Sequence, residues 1–541
     1  MARERNRVCI IVGAGLSGLV QAAEILRKDI LQPEELEILD RSKDYGGVWN
    51  AATYPGAGCD VFSVLYQVSW FRKADWSSFF PSGGELADYF RQFAEKFKLR
   101  SCTTFDANVI EAVWSDEKMV WTVITEDAVS RQRTTWTTKV LIYAPGTYNR
   151  SVTPDISGIS SFKGEMWHTY NWPADADLSG KVVAYIGTGP SAVQILPSIQ
   201  PAVKSLKVYV RSMTYCLPMS NATNTPAIQF LKKWVPGLLS VYAFVLGCIF
   251  GLWTYYLFRP GSWVARSAEW YCTKFFEQEV RDPILRDKLR PKGRIGDKRP
   301  LVSRNFYQIL QKPNVDVITD SITLVDEKGI VSTPGHVAAN DNLNRQAKEN
   351  SSQNPLDVSL NILTPKGIHN DVDVIIWGTG FRMQGWGTAF KIVGRHGKAL
   401  GEHWGEAPRT LYGMATSEFP NLLFVSGPNT VAPWASIISG IEIQALYNNR
   451  IIREIKKRSV NGRTFAIMPR VAAETQYTEA LQPELEKLAT SLKFGPRNYY
   501  VSEEGRNTFF FPFTQMYYRW LLRSINWDNY ITVDGQEVYR S

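Results

Sequence analysis

Apolar residues fall along this chain in short unbroken runs, each followed by a glycine-rich turn and then a periodic stretch. Arg7–Val12 reads Arg-Val-Cys-Ile-Ile-Val and Lys181–Ile186 reads Lys-Val-Val-Ala-Tyr-Ile. Short runs without polar alternation predict strands buried on both faces of a parallel sheet. After each turn, apolar residues recur at helical spacing, through Arg27 in the first case and Gln200 in the second. Leu36–Leu39 and Leu206–Val210 supply second strands, and Asp373–Trp377 predicts another far downstream. Strand, turn, helix and strand, occurring twice, predict an α/β protein. Trp234–Phe258 departs from this pattern: it is an uncharged run between Lys233 and Arg259, interrupted by Pro236, Gly237, Gly247 and Gly251. It exceeds the roughly 20 residues a helix needs to cross a bilayer. The stretch Ala338–Asp357, rich in Asn, Gln and Ser, predicts a solvated surface loop.

The turns carry the chemistry. The first contains Gly13, Ala14, Gly15 and Gly18, and Asp40 closes the second strand at about the 20-residue distance expected of a ribose-binding acid. Glycines let backbone N–H groups approach a pyrophosphate at the positive end of a helix, and Asp40 can accept from ribose hydroxyls. The second turn reads Gly187-Thr188-Gly189-Pro190-Ser191-Ala192, with alanine in the accepted third position. Where an NAD site would place its acid stand Arg211 and Ser212, a substitution that favours a 2′-phosphate. An acid in one unit and an arginine in the other imply two Rossmann-like dinucleotide-binding domains, FAD in the first and NADPH in the second.

Beyond the first unit, Gly46-Gly47-Val48-Trp49 and Tyr54-Pro55-Gly56 predict a tightly turned loop offering flat aromatic surfaces. Asp60 follows among Cys59, Val61 and Phe62, and a carboxylate in such company needs a cationic partner. Residues expected around the cofactors also include Arg41, Gly47, Val48, Trp49, Asn50, Cys59, Asp60, Tyr66 and Val109.

A length of 541 residues calls for two or three domains. Apolar content of 44% and charged content of 21% are those of a folded globular protein. The net charge of +9 suits phosphate-bearing cofactors or an anionic membrane surface, and without a concentrated basic patch it does not point to nucleic acid. Six cysteines form neither a CxxC pair nor a metal-ligand spacing. That predicts a reducing, cytoplasmic location, no metal, and no redox-active disulfide. The charged start Met1–Arg7 reads as no signal peptide.

Between the two units lies Phe162-x-Gly164-x-x-x-His168-x-x-x-Trp172-Pro173. This stretch resembles the fingerprint of the Baeyer–Villiger monooxygenases, within the class B flavoprotein monooxygenases. Gly46-Gly47-x-Trp49, Tyr54-Pro55-Gly56 and Asp60 resemble a second motif of that family. The likeness continues through Gly296-Asp297-Lys298-Arg299-Pro300, Phe306-Tyr307, Asp373–Phe381, Phe419-Pro420-Asn421, Gly427-Pro428-Asn429, Glu442 and Gln444, and so covers about residues 7–445.

The resemblance implies a discontinuous FAD domain, 1–147 and 370–541, around an NADP domain, 148–369, with a helical insertion at 222–295. It implies that NADPH reduces the flavin, that O2 adds to form a C4a-peroxyflavin, and that a ketone becomes an ester or lactone. Arg299 would be the catalytic arginine and Asp60 its partner, with Lys298, Arg211 and Ser212 at the 2′-phosphate. His168 would belong to a hinge between the cofactor domains and would not be an acid or base. The substrate expected is a lipophilic ketone, bulky and natural-product-like. The alternatives are oxygenation of carbon, nitrogen or sulfur within the same class, or an NADPH-dependent flavin reductase or oxidase without oxygen insertion. A single membrane span at 234–258 would separate the halves of one domain. That segment therefore reads as a monotopic or buried hairpin, touching membrane and admitting lipophilic substrate.

Overall fold

The computed structural model describes residues 3–334, 367–383, 386–387, 389–405, 407–459, 464–495 and 498–534. The polar stretch 338–357 lies outside them. The first strand, β1 (Arg3–Val12), starts ahead of its apolar run because Arg3–Arg7 pair in register with Thr134–Thr138 of β6 (Arg133–Tyr143). Its apolar half is inserted between β6 and β2 (Leu36–Leu39), both parallel to it, which is why Cys9, Ile10 and Ile11 carry no exposed surface.

β3 (Thr103–Thr104) extends the sheet beyond β2. On the other side β6 turns antiparallel to β5 (Val120–Asp127), and β5 to β4 (Ala107–Ser115), where buried and partly exposed residues alternate. Two strands from far downstream complete this sheet: β17 (Lys391–Val393) beside β4 and β18 (Leu422–Phe424) beside β6.

The second sheet is wholly parallel, in the order β12 (Val315–Ile318), β9 (Ser205–Tyr209), β8 (Val182–Ile186), β16 (Val374–Trp377) and β7 (Glu165–His168). This corrects one expected boundary. A break at 370 would hand Val374–Trp377 to the first unit, yet the strand lies between β8 and β7 with all four side chains buried. An apolar strand takes the position where both its edges find partners, and here that position is in the second sheet. The fingerprint stretch likewise supplies the edge strand β7. Smaller sheets are formed by β10 (Cys216–Leu217) with β11 (Leu301–Val302), by β13 (Ser321–Val325), β14 (Gly329–Thr333) and β15 (Ile368–Asp371), and by β19 (Phe465–Pro469) with β20 (Tyr530–Asp534).

Helices α1 (Leu16–Arg27), α2 (Val48–Ala51) and α3 (Gly83–Lys96) belong to the first unit and α4 (Pro190–Ile199) to the second. The insertion is helical as expected: α5 (Pro226–Trp234), α6 (Leu238–Leu257), α7 (Trp263–Glu279) and α8 (Pro283–Leu289). Leu257, Phe258, Val264 and Ala268 join the first unit's core, whereas Phe276, Val280 and Leu289 join the second's. The insertion therefore ties the two cores together.

The uncharged run contains no hairpin. Val235–Gly237 separates α5 from α6, with Gly237 at φ +76°, and α6 then continues unbroken through Gly247 and Gly251. These two glycines face the body: a Cβ at Gly247 would sit 3.6 Å from Leu65, and one at Gly251 would sit 3.2 Å from the Trp434 carbonyl. They permit close approach, not a reversal.

Close approach also constrains the first turn. A Cβ at Gly18 would lie 1.8 Å from the Gly13 carbonyl oxygen, while one at Gly84, in the first turn of α3, would meet nothing within 4 Å. Gly18→Ala is expected to cost at least about 1–3 kcal/mol, as overpacking does, and to release flavin. Gly84→Ala is expected to stay within about 1 kcal/mol of the wild type. Thermal unfolding together with flavin absorbance of the purified proteins checks both outcomes.

Candidate active site and cofactor cradles

The first cradle forms where β1 gives way to α1. Gly13 takes φ +115°, a conformation that favours glycine, and its Cβ would lie 2.4 Å from the Ala144 carbonyl. Gly15 caps α1 with no side chain, so the first N–H groups of the helix are left for an incoming group. Gly47 comes up against Gly15, and a Cβ on Gly47 would be 2.9 Å from the Gly15 Cα. Two glycine turns in contact over the positive end of a twelve-residue helix make a narrow seat for a pyrophosphate.

Asp40 stands beside this seat. One of its oxygens accepts from Ala14 N–H at 2.5 Å, and the other accepts from Ser42 N–H at 2.7 Å and from the Ser42 hydroxyl at 2.5 Å. A carboxylate accepts about four hydrogen bonds, so Asp40 braces the loop and retains capacity for a ribose hydroxyl.

Around the first cradle, the Trp49 indole N–H donates to the Tyr66 hydroxyl at 3.2 Å, and Asn50 accepts from Arg91 at 3.2 Å. Val48 opens α2 directly after Gly47. Cys59 and Val109 are buried, and burial pushes the Cys59 thiol far above its usual range. Arg41 donates to the Asn149 carbonyl at 3.1 Å.

The second cradle repeats the design. Gly187 takes φ +123° and packs on Gly378 of the turn after β16. Gly189 caps α4 without a side chain, Pro190 opens the helix, and a Cβ at Gly189 would enter open space. Ser191 follows in the first turn, and Ala192 is fully buried against the sheet. Thr188 donates to the Ser212 carbonyl at 2.8 Å, and the Lys298 ammonium donates to the Ser212 hydroxyl at 2.7 Å. Burial lowers the Lys298 pKa against an opposing pull from Asp297, and nearby Arg211 lowers it further. Two cations held together against their mutual repulsion suit an anionic group between them.

Asp60 and Arg299 meet between the cradles. The Arg299 guanidinium donates to the Asp60 carboxylate across 239 positions of sequence. The Asp60 charge raises the Arg299 pKa, outweighing an opposing contribution from burial. Arg299 keeps 41% of its side-chain surface accessible although it lies deep in the molecule. The guanidinium therefore lines a recess and is not sealed in a core. Its loop is anchored on both sides, by Leu301 N–H to the Tyr215 carbonyl at 2.9 Å and by the buried Asp297, which accepts from Lys298 N–H at 2.6 Å.

Sequence reasoning missed several neighbours. Tyr148, Tyr499 and Tyr500 surround Arg299 closely enough to feel its charge, and burial raises all three phenol pKa values. The two adjacent tyrosines bond hydroxyl to hydroxyl at 2.6 Å. They come from a segment that carries no motif. Gln194 on α4 was missed as well: it accepts from the Tyr54 hydroxyl at 2.8 Å and donates to the Gly58 carbonyl at 2.8 Å. It thereby ties the second unit's helix to the loop that holds Asp60.

His168 ends β7 with 4% of its surface exposed, and its Nδ1 accepts from Tyr170 N–H at 3.0 Å. Burial lowers its pKa. The ring packs edge-on against Phe381 at 5.7 Å. It lies at the end of the edge strand of the second sheet, beside β16.

Comparison with known proteins agrees with this geometry. Residues 5–235 match the flavin-binding monooxygenase-like family. The FAD-binding monooxygenase BOA2 of Botryotinia fuckeliana is 32% identical over 97% of this chain and 93% of its own length. A Baeyer–Villiger monooxygenase of Streptomyces coelicolor is 30% identical over 97% of this chain and 92% of its own. Among solved structures, closed cyclohexanone monooxygenase superposes with a TM-score of 0.80 at 22% identity, covering 98% of this chain and 100% of that one. Oxidized steroid monooxygenase bound to NADP gives 0.78 at 23%, with the same coverage. Two glycine cradles and relatives matched over nearly their whole length converge: the chain belongs to the flavin-binding monooxygenase family, as an FAD- and NADP-dependent monooxygenase of the class B, Baeyer–Villiger type.

Proposed function

We propose that this protein inserts an oxygen atom from O2 beside the carbonyl of a bulky, lipophilic, natural-product-like ketone, giving an ester or lactone. The observation that carries this reading is the Asp60–Arg299 pair, which presents a fixed cation to a recess between the two cradles. The flavin, once reduced by NADPH, supplies the oxygen chemistry. The first cradle holds it through the N–H groups that Gly13, Ala14, Gly15 and Gly18 bring close, with Asp40 at the ribose and Trp49, Asn50 and Tyr66 alongside. The second holds NADPH through Gly187–Ala192, with Arg211, Ser212 and Lys298 at the 2′-phosphate.

Arg299 stabilises negative charge as it develops on the reacting oxygens, and it is already oriented before that charge appears. Asp60 fixes the guanidinium and keeps it protonated, since the carboxylate raises its pKa. The units that carry these sites are read as a discontinuous flavin domain and an inserted NADP domain, the latter keeping β16. A cytoplasmic location at a membrane surface belongs to the same reading. All six cysteines are unpaired, and among the described residues Leu238–Leu257 is the one helix apolar and long enough to cross a membrane.

Arg299→Ala is expected to leave flavin reduction by NADPH within about twofold of wild type, while product formation falls by about 10²–10³ or more, the scale of losing a preorganised charge stabiliser. Stopped-flow mixing with NADPH and then O2 separates the two steps, and full product yield from the variant would remove Arg299 from the chemistry. Arg211→Ala is expected to raise the KM for NADPH at least tenfold, about 1.4 kcal/mol, and to leave NADH kinetics unchanged. Comparable kcat/KM for NADPH and NADH in the wild type would overturn the 2′-phosphate assignment. NMR of the product carbonyl decides the outcome with a ketone, an ester resonance being expected and a hydroxyketone pointing to hydroxylation.

A further inference from the structure

The inner side of α6 is fastened to the protein along its C-terminal half. Phe250 packs edge-on against Phe62 at 5.7 Å, Gly247 and Gly251 lie against Leu65 and Trp434, and Tyr255 packs on Trp434 at 5.1 Å. Beyond the helix, the Phe258 carbonyl accepts from Ala489 N–H at 2.8 Å, and Arg259 covers the Tyr255 ring while donating to Pro512. The outer side is bare. Phe244 is 72% exposed, Ile249 and Leu252 62% each, and Val241 61%. The apolar surface continues onto α5 through Phe230 and Trp234 and past the far end of α6 to Trp263. A core helix would have this side covered, and exposed apolar surface of this extent marks an interaction face.

Charge identifies the occupant. Between Asp177 and Glu269 the chain has no acidic residue, and Lys232, Lys233, Arg259 and Arg266 bracket the helix. Two copies meeting through this face would oppose cations to cations. An anionic lipid surface instead attracts the exposed ones, Lys233 and Arg266, by about 1 kcal/mol each. Trp234 and Trp263 stand at the two ends of α6 with Lys and Arg beside them, the residue types that settle at headgroup level. A spanning helix would have to strip away the contacts with Phe62, Leu65 and Trp434, whereas an in-plane helix keeps them and buries only its outer face.

We propose that α6, with the last turn of α5, is an in-plane docking helix for an anionic phospholipid surface. Because Phe62 and Leu65, on the loop that starts at Asp60, pack on the inner side of α6, docking holds that loop about one helix diameter from the lipid, where an apolar ketone partitions. This delivery role rests on the function proposed above; the docking itself does not.

Cys248 lies on the outer half of α6 and is the exposed cysteine, the other five being buried. The flavin-loaded protein labelled there with an environment-sensitive fluorophore is mixed with phosphatidylcholine vesicles containing or lacking phosphatidylserine. Expected are a blue shift, flotation with the anionic vesicles only, release by high salt, and quenching by shallow but not deep lipid-borne quenchers. Phe244→Asp/Ile249→Asp is expected to float at least tenfold less, with flavin content and vesicle-free NADPH oxidation unchanged. An unshifted probe, equal binding to neutral vesicles, deep quenching, or self-association in place of lipid binding would each overturn the proposal. Absence of ester from detergent-dispersed ketone would overturn only the proposed reaction, since the vesicle readout needs no turnover.

Discussion

A carboxylate among apolar neighbours and a guanidinium lining a recess meet here at a single hydrogen-bonded ion pair, and much of the architecture serves to bring them together. Asp60 lies on a loop closed by the Gly58–Ser82 bridge, and Arg299 lies between the buried Asp297 and the short strand Leu301–Val302. Neither loop is held by the ion pair alone. Gln194 clamps the first from α4, and Tyr215 fixes the second through the backbone. Removing either charge would leave its partner without compensation in a region that tolerates an unpaired charge poorly.

The two units are interleaved, not merely adjacent. The chain completes the first sheet only after leaving the second, through Lys391–Val393 and Leu422–Phe424, and the helix Ile437–Arg458 then packs back on α1. Gln21 on α1 joins Asn448 and Asn449 of that helix in a buried amide network. Val374–Trp377 enters the second sheet on the way, beside the fingerprint strand. The fingerprint thus sits at the seam the chain crosses in both directions, with His168 packed edge-on against Phe381.

The insertion has a double role for a related reason. Its inward residues complete both cores, so it cannot detach without exposing them, while the outer face of α6 has no protein partner among the described residues. Gly247 and Gly251 permit that division by letting the helix backbone settle on Leu65 and Trp434. At Gly251 a Cβ would come within 3.2 Å of the Trp434 carbonyl, so a side chain there would require that contact to give.

What the sequence determined by itself was local. Unbroken apolar runs named the parallel strands, and glycines at fixed spacing named the turns from which both cradles are built. Each of these depends on residues within a few tens of positions, where backbone geometry follows from residue type. Three things were decided only by tertiary structure. Val374–Trp377 reads as a strand in any sheet, and its place depended on which edges were free to pair. The uncharged run reads equally as a span, a core helix or a hairpin, and only its contacts along one side make it a single surface helix. Tyr148, Tyr499, Tyr500 and Gln194 carry no motif, because their position near Arg299 and Asp60 comes from how distant loops pack, and packing partners far apart in sequence leave no periodic trace in it.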